Sequence, residues 1–458
     1  MDDIGRAMHG MGLTADLCGH LARVDFEELG DEAVAQSRRL VLDGLAVAVA
    51  GAEHAPPALL WQVMGPLAGA GDASVIGRAA SCAPDVAAYV NGAAMHVLDY
   101  EAMWSPATHA TSTSLPAVLA LAEQRGASGR RVLTALVAGV EVQGRLRVAS
   151  REYASVDLRF HPPGAVGPIG AAAAAGVLIG LDAGRMACAL GIAASRTGGL
   201  MANVGTMTKC LHCGIAARHG VEAALLAEAG FTASTSILET PRGYAATLYA
   251  DWDDGTFASF GNPWRIVEPG YAVKLFPCQY GTHFAVNAAL DVAARLRGAA
   301  DIVRVTLTTP DMPYVDKPAP RDGLDGKFSF QYVTACVLLD GTVGIESFAD
   351  ERRFAPDMEA MLARIEVVRD PDIPGTFEEM HVAIEVQLAG GETLTARCDK
   401  PKGYVGTPVP DEDHLVKVRD CLSRGAQIGD VEEIVAACRG IDTLDGAGVR
   451  SLMRALRG

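Results

Sequence analysis

Five polar clusters interrupt an otherwise Ala- and Gly-rich apolar chain: Asp99 with His109, His161, Lys209-Cys210-Leu211-His212, the stretch from Lys274 to His283, and Phe330-Gln331-Tyr332. They supply carboxylate, imidazole, ammonium and phenol groups. They contain no Ser-His-Asp order, no phosphate-binding glycine loop and no repeat of metal ligands. That inventory suits acid/base chemistry on a small carboxylated molecule. Asp99 and His109 lie where a helix should end and a loop containing Pro106 begins. One loop can therefore turn a carboxylate and an imidazole into the same cleft, and His exchanges protons most readily near neutral pH. Each residue also has a plainer use: Asp99 and His109 in capping and turns, His161 as a structural group at a junction, Tyr332 as a core aromatic with a satisfied hydroxyl.

Lys209 stands just ahead of an apolar helix expected to start near Gly214, where an ammonium and the positive end of the helix would meet an anion together. Lys274 precedes a turn at Pro277, and His283 opens the next helix. Cys210 and Cys213 have zinc-finger spacing, but no second cysteine pair lies at a fitting distance, so no metal is expected. Glycines 164, 167 and 170 follow His161-Pro162-Pro163 without Gly-x-Gly-x-x-Gly spacing or a preceding strand, which argues against a dinucleotide. No cofactor is expected.

The elements that must position these groups change character along the chain. Apolar residues recur with helical spacing from 32 to 51 and again over 84–98, 115–123, 131–149, 170–181, 183–194, 212–229 and 282–297. After Asp301 the period shortens: Val303, Val305 and Leu307 alternate with polar neighbours. Val382, Ile384, Val386 and Leu388 face Leu394, Ala396 and Cys398 across Gly390-Gly391, a hairpin signal. Helical periodicity returns from Asp411. These patterns predict a mostly α fold: a large, discontinuous all-helical domain (residues 1–267 and 405–458) and a smaller inserted α+β lid domain (268–404).

At 458 residues with a net charge of −16, the chain has room for two or three domains and is ill suited to nucleic acid, whose phosphates need clustered Lys and Arg. The start, Met-Asp-Asp-Ile-Gly-Arg, lacks a secretory or transit pattern, and ten scattered cysteines read as reduced core thiols, so a cytoplasmic location is expected. The uncharged stretch 162–181 is long enough to span a bilayer, but it is built of Ala, Gly and three prolines. It reads as a tightly packed core helix, not a membrane segment.

Taken together, these segments resemble the MmgE/PrpD family, which includes 2-methylcitrate dehydratase, cis-aconitate decarboxylase and iminodisuccinate epimerase. The resemblance rests on Asn91-Gly92 through Asp99, Pro106-Ala107-Thr108-His109, His161-Pro162-Pro163, and Lys209-x-Leu211-His212 with Ala216-Ala217-Arg218. It continues through Gly230-Phe231, Pro241-Arg242-Gly243, Lys274-x-x-Pro277, His283, and Lys327-Phe328-Ser329 through Gly341. It implies a homodimer with a cofactor-free site between the two domains. It also implies a pocket built from Asp99, His109, His161, Lys209, Lys274 and Tyr332, with His283 close by. In that reading Asp99, His109, Lys209 and Tyr332 are catalytic, with Asp99 orienting His109. His161, Lys274, His212 and His283 bind substrate, with Lys209, Lys274 and His161 on its carboxylates.

Many members follow the first Asp with an aromatic residue and two further acids, where this chain has Tyr100-Glu101-Ala102. The expected activity is a cofactor-independent lyase on a di- or tricarboxylate, with dehydration placed slightly ahead of decarboxylation on family breadth. The Pro-Ala-Thr-His, His-Pro-Pro and Phe-Gln-Tyr segments favour the decarboxylase instead. An epimerase, suggested by Gly205-Thr-Met-Thr-Lys209, and a non-catalytic carboxylate-binding protein are the further alternatives.

Overall fold

The computed structural model describes residues 12–154, 158–296 and 298–458. The N-terminal segment read as free of a targeting signal lies outside these residues, as does the last residue of the helical run expected to end at 297. The chain is 53% helical and 9% strand, so the expected mostly α class holds.

Among the described residues the first α-helices are α1 (Leu13–Leu21), α2 (Gly30–Gly51), α3 (Ala55–Met64), α4 (Pro84–His96), α5 (Ala110–Arg125), α6 (Gly129–Ala149), α7 (Pro162–Ile179), α8 (Ala183–Ala194), α9 (Thr208–Glu228) and α10 (Tyr244–Leu248). A short hairpin of β1 (Ala73–Val75) and β2 (Ala80–Cys82) sits between α3 and α4. The middle of the chain holds α11 (Thr282–Ala293), β3 (Ile302–Thr309), α12 (Gly323–Gly326), α13 (Phe330–Asp340), α14 (Asp350–Arg353), α15 (Pro356–Leu362), β4 (Ile365–Arg369), β5 (Val382–Leu388) and β6 (Thr393–Cys398). Three further helices follow: α16 (Asp411–Ser423), α17 (Val431–Arg439) and α18 (Gly446–Ala455).

Buried apolar side chains form two clusters. The larger runs through α1 to α9 and returns in α16 to α18, because α16 and α17 pack on α2 and α18 packs on α5. Its centre is α4, α5, α7 and α9, where small residues let helix backbones approach closely. A Cβ added at Gly214 of α9 would lie 2.3 Å from the Tyr89 carbonyl oxygen of α4, so only glycine fits this contact. The helix α7 is long and apolar enough to cross a membrane, but 94% of it is buried in this core. The smaller cluster joins α11, α13 and α15 to one face of a sheet ordered β4-β3-β5-β6.

In that sheet β3 runs parallel to β4, while β5 is antiparallel to both β3 and β6. The expected hairpin forms with Val382 opposite Cys398 and Val386 opposite Leu394. The alternation expected of β3 holds at Val305 and Leu307 but not at Val303, which is 56% exposed. A register shift between Ile302 and Arg304 turns Val303 outward and leaves Ile302 to fill the core.

Candidate functional site

Three helix N-termini meet at one small cavity. His109 is the residue preceding α5, His161 the residue preceding α7, and Lys209 lies in the first turn of α9. Two of these helices begin earlier than apolar periodicity suggests. In α5 the Thr113 hydroxyl donates back to the Ala110 carbonyl and the Ser112 hydroxyl lies 3.2 Å from the His109 carbonyl, which lets a polar Thr-Ser tract stay helical and buried. In α9 the Thr206 hydroxyl accepts from the Thr208 N–H at 3.2 Å, so Lys209 belongs to the helix instead of preceding it.

Asp99 sits just past the end of α4 with φ +51°, a left-handed conformation that Asp tolerates better than most residues. Three buried cations and the half-buried Arg265 pin its loop by its carbonyls. Lys327 Nζ donates to Leu98 O at 3.0 Å and Lys417 Nζ to Tyr100 O at 2.8 Å. Arg265 Nη2 donates to Ser105 O at 2.9 Å and Arg147 Nε to Ala107 O at 3.0 Å. Ala102 is buried in the larger apolar core, where an acid would need a partner.

At the centre Asp99 bridges two lysines: Lys209 Nζ donates to Oδ2 at 2.7 Å and Lys274 Nζ to Oδ1 at 2.5 Å. Burial alone would raise the Asp99 carboxyl, but Lys209 and Lys274 override it and hold the group well below its ordinary value. Lys274 is pulled down by burial and partly restored by Asp99. The three groups together carry a surplus positive charge.

Asp99, His109, His161 and Lys209 line the cavity, together with Pro162 and Met201 from the helical part and Met103, Gln279, Tyr280, Tyr314, Phe328 and Phe377 from the smaller cluster's side. The other expected residues stand elsewhere. Lys274 is fully buried and reaches the cavity through Asp99. His212 backs His161, with the two Nδ1 atoms 3.2 Å apart. His283 packs its ring against Phe276 and Tyr280 and is not a lining residue. Tyr332 stands apart from this cavity: the Ser329 cap fixes its backbone, its ring packs on Phe348, and its hydroxyl donates to Ser347 O at 2.5 Å. It is not among the residues that line the cavity with Asp99 and His109.

The expected link between Asp99 and His109 is also loose, with Nε2 3.8 Å from Oδ1. The carboxylate nearer to His109 is Glu101, fully buried, whose Oε1 is 3.2 Å from His109 Nδ1. The same oxygen meets His96 Nδ1 at 2.5 Å and accepts from Ser112 Oγ at 2.9 Å. Burial would raise Glu101, but His96 and His109 hold it well below its ordinary value. Burial pushes His96 down to about 4, and His161 falls well below its ordinary value for the same reason, with Lys209 adding to it. His161 therefore offers a neutral imidazole, not the cation expected from the sequence. His212, pushed down to about 4 by burial and then by Lys209, is neutral as well.

Two groups of potential metal ligands occur here, His96 with Glu101 and Cys213, and Asp99 with Glu101 and His109. Asp99 is already paired with Lys209 and Lys274, Glu101 takes a hydrogen bond from His96, and burial pushes the Cys213 thiol well above its ordinary value, away from the thiolate a metal needs.

Lys327 is a cation that sequence inspection passed over, marked only by its place before Phe328-Ser329. Burial pushes it down to about 7, with Asp99 opposing. Its folded value lies below its unfolded one near 10.5, so the unfolded chain holds the proton more tightly across that window. Stability should therefore rise with pH between about 7 and 10.5, and Lys327→Met should flatten that rise in urea unfolding at a series of pH values.

Residues 15–255 match the MmgE/PrpD N-terminal domain and residues 276–440 the MmgE/PrpD C-terminal domain. The chain is 33% identical to a cis-aconitate decarboxylase of Mus musculus over 97% of its own length and 93% of the relative's. It is 35% identical to the Homo sapiens cis-aconitate decarboxylase over 80% and 78% of the two chains. A 2-methylcitrate dehydratase of Cupriavidus necator is 26% identical over 68% and 69%. With two matched domains spanning most of its length, and a cluster of Asp, Lys and His side chains at the junction of its two apolar cores, the chain is a lyase of the MmgE/PrpD family.

Proposed function

We propose that the protein is a cofactor-independent carboxy-lyase that removes one carboxyl group from a small unsaturated tricarboxylate of the cis-aconitate type. The observation that carries this reading is the meeting of three helix N-termini with the Lys209 ammonium group at one small cavity. Such a place favours a compact polyanion, because helix termini and ammonium groups act on it together. Relatives named as cis-aconitate decarboxylases, aligned over most of the chain, support decarboxylation over the dehydration that family breadth favours.

In this reading Lys209 pairs with a substrate carboxylate, and Lys274 acts behind it by balancing Asp99. The bond to the departing carboxyl carbon breaks, and its electron pair forms a new C=C bond. The former double bond then takes up a proton at the carbon beside a retained carboxylate, delivered by His109 Nε2. His161 donates a neutral N–H. Residues 268–404 form the lid that carries Gln279, Tyr280, Tyr314 and Phe377 over the cavity. A homodimer in the cytoplasm fits the same reading.

Dehydration of a 2-methylcitrate-type substrate is the second reading, supported by the Cupriavidus necator relative. Proton NMR in D₂O separates the two, with cis-aconitate, citrate, 2-methylcitrate and iminodisuccinate supplied one at a time. Decarboxylation gives released CO₂, a methylene-type vinyl signal and one deuterium in the product. Loss of water from 2-methylcitrate without loss of carbon would replace the first reading with the second.

A further inference from the structure

We propose that Glu101, itself fixed by His96, is the positioning residue that orients His109, so that the proton transferred at the cavity moves through Nε2. The inference rests on the catalytic assignment of His109 made above and adds the groups behind it.

The geometry assigns each atom. Glu101 is fully buried and held as a carboxylate, so its oxygens are acceptors without a donor. His96 Nδ1, 2.5 Å from Oε1, must therefore carry the hydrogen of that pair. Ser112 Oγ donates to the same oxygen, which ties Glu101 to the first turn of α5. His109 presents Nδ1 to this oxygen at 3.2 Å, at an ion-pair distance with alignment short of a linear hydrogen bond. An imidazole facing a carboxylate through Nδ1 keeps its hydrogen there, which leaves Nε2 as the exchanging atom.

Asp99 cannot serve the same purpose. Both its oxygens accept from lysines, and Nε2 of His109 stands 3.8 Å away. The rings of His96 and His109 meet edge to face at 4.6 Å between centroids, so His96 also limits how far His109 can swing. When His109 carries a second proton, Glu101 balances the imidazolium. When Nε2 gives that proton to substrate carbon, the ring returns to the neutral form with hydrogen on Nδ1, and the charge count closes.

Two measurements test this. Long-range ¹⁵N–¹H NMR of histidine-labelled protein, with His109→Gln used to assign the signal, reads the tautomer without any substrate. The expected result is a neutral His109 with Nδ1 protonated and Nε2 bare; the opposite tautomer overturns the proposal. Kinetics of Glu101→Gln should then show kcat lowered on the order of 10²-fold with KM changed less than about threefold. A kcat within about threefold of wild type, in a variant with a wild-type circular dichroism spectrum, also overturns it. Should Glu101→Gln fail to fold, the wild-type tautomer still decides. If His109→Gln itself retains full activity, the fault lies in the assignment of His109 and not in the role of Glu101.

Discussion

His109→Gln is expected to lower kcat on the order of 10³-fold on the substrate identified by NMR, with the unfolding midpoint in urea close to wild type. The expectation follows from where the side chain is spent. His109 precedes α5, but its imidazole makes no capping bond to the helix, so removing the ring costs the fold little. Its side chain is 10% exposed, open to the cavity, while its inner nitrogen faces Glu101. Glutamine fills similar space and can still donate an amide hydrogen to Glu101, but it has no group that exchanges a proton near neutral pH. Chemistry should therefore suffer while carboxylate binding, which depends on Lys209, is kept. Single-turnover kinetics with deuterium incorporation would separate the two steps. A variant within tenfold of wild type would remove His109 from the proton transfer and leave another group at the cavity to supply it.

The parts of this molecule that were legible in the sequence are those governed by one periodicity. Helices α2 and α4 to α9 of the large core declare themselves because apolar residues recur along them, whereas α1 and α3 do not, and the β5–β6 hairpin shows because Gly390-Gly391 divides two alternating runs. Where a polar side chain bonds its own backbone, the signal fails. The Ser112 and Thr113 hydroxyls hide the first turn of α5, and Thr206 hides that of α9. The β1–β2 hairpin is three residues per strand, too short to show a period.

The site follows the same rule. Residue types placed Asp99, His109, His161 and Lys209 together, and the fold does bring them to one cavity. What spacing does not carry is which way a side chain turns. In the loop after α4, Asp99 and Glu101 are two residues apart, and only the left-handed turn at Asp99 sends one carboxylate to the lysines and the other to the histidines. Likewise Lys274 and Lys209 look equivalent in sequence, yet one is sealed behind Asp99 and the other faces the cavity. Tyr332 carries a motif match but spends its hydroxyl on Ser347.

Asp99→Asn should destabilise the protein by about 3–5 kcal/mol at pH 7, because it strands a buried cation. Asparagine accepts the left-handed backbone at φ +51° as readily as aspartate, so the substitution changes charge and leaves backbone strain alone. The cost falls unequally on the two lysines. Lys209 has a side chain 10% exposed at the cavity and can recover water, whereas Lys274 is 0% exposed and cannot. Adding Lys274→Met to Asp99→Asn should therefore recover a large part of the loss, and a double-mutant cycle measures the coupling directly.

The acid limb supplies an independent check. Asp99 is held well below its ordinary value of 3.8, so the stability it contributes is complete above that pH and is lost as pH falls through the depressed folded value. The gap between wild type and Asp99→Asn should accordingly begin to narrow near pH 3.8 and close at lower pH, while the gap for Lys274→Met alone should also narrow on the acid side as its Asp99, left with Lys209 alone, takes up a proton. Equal urea midpoints for wild type and Asp99→Asn at pH 7 would mean that the paired lysines have found another anion. Lys209 would then be neutralised by that anion and no longer free to pair with a substrate carboxylate.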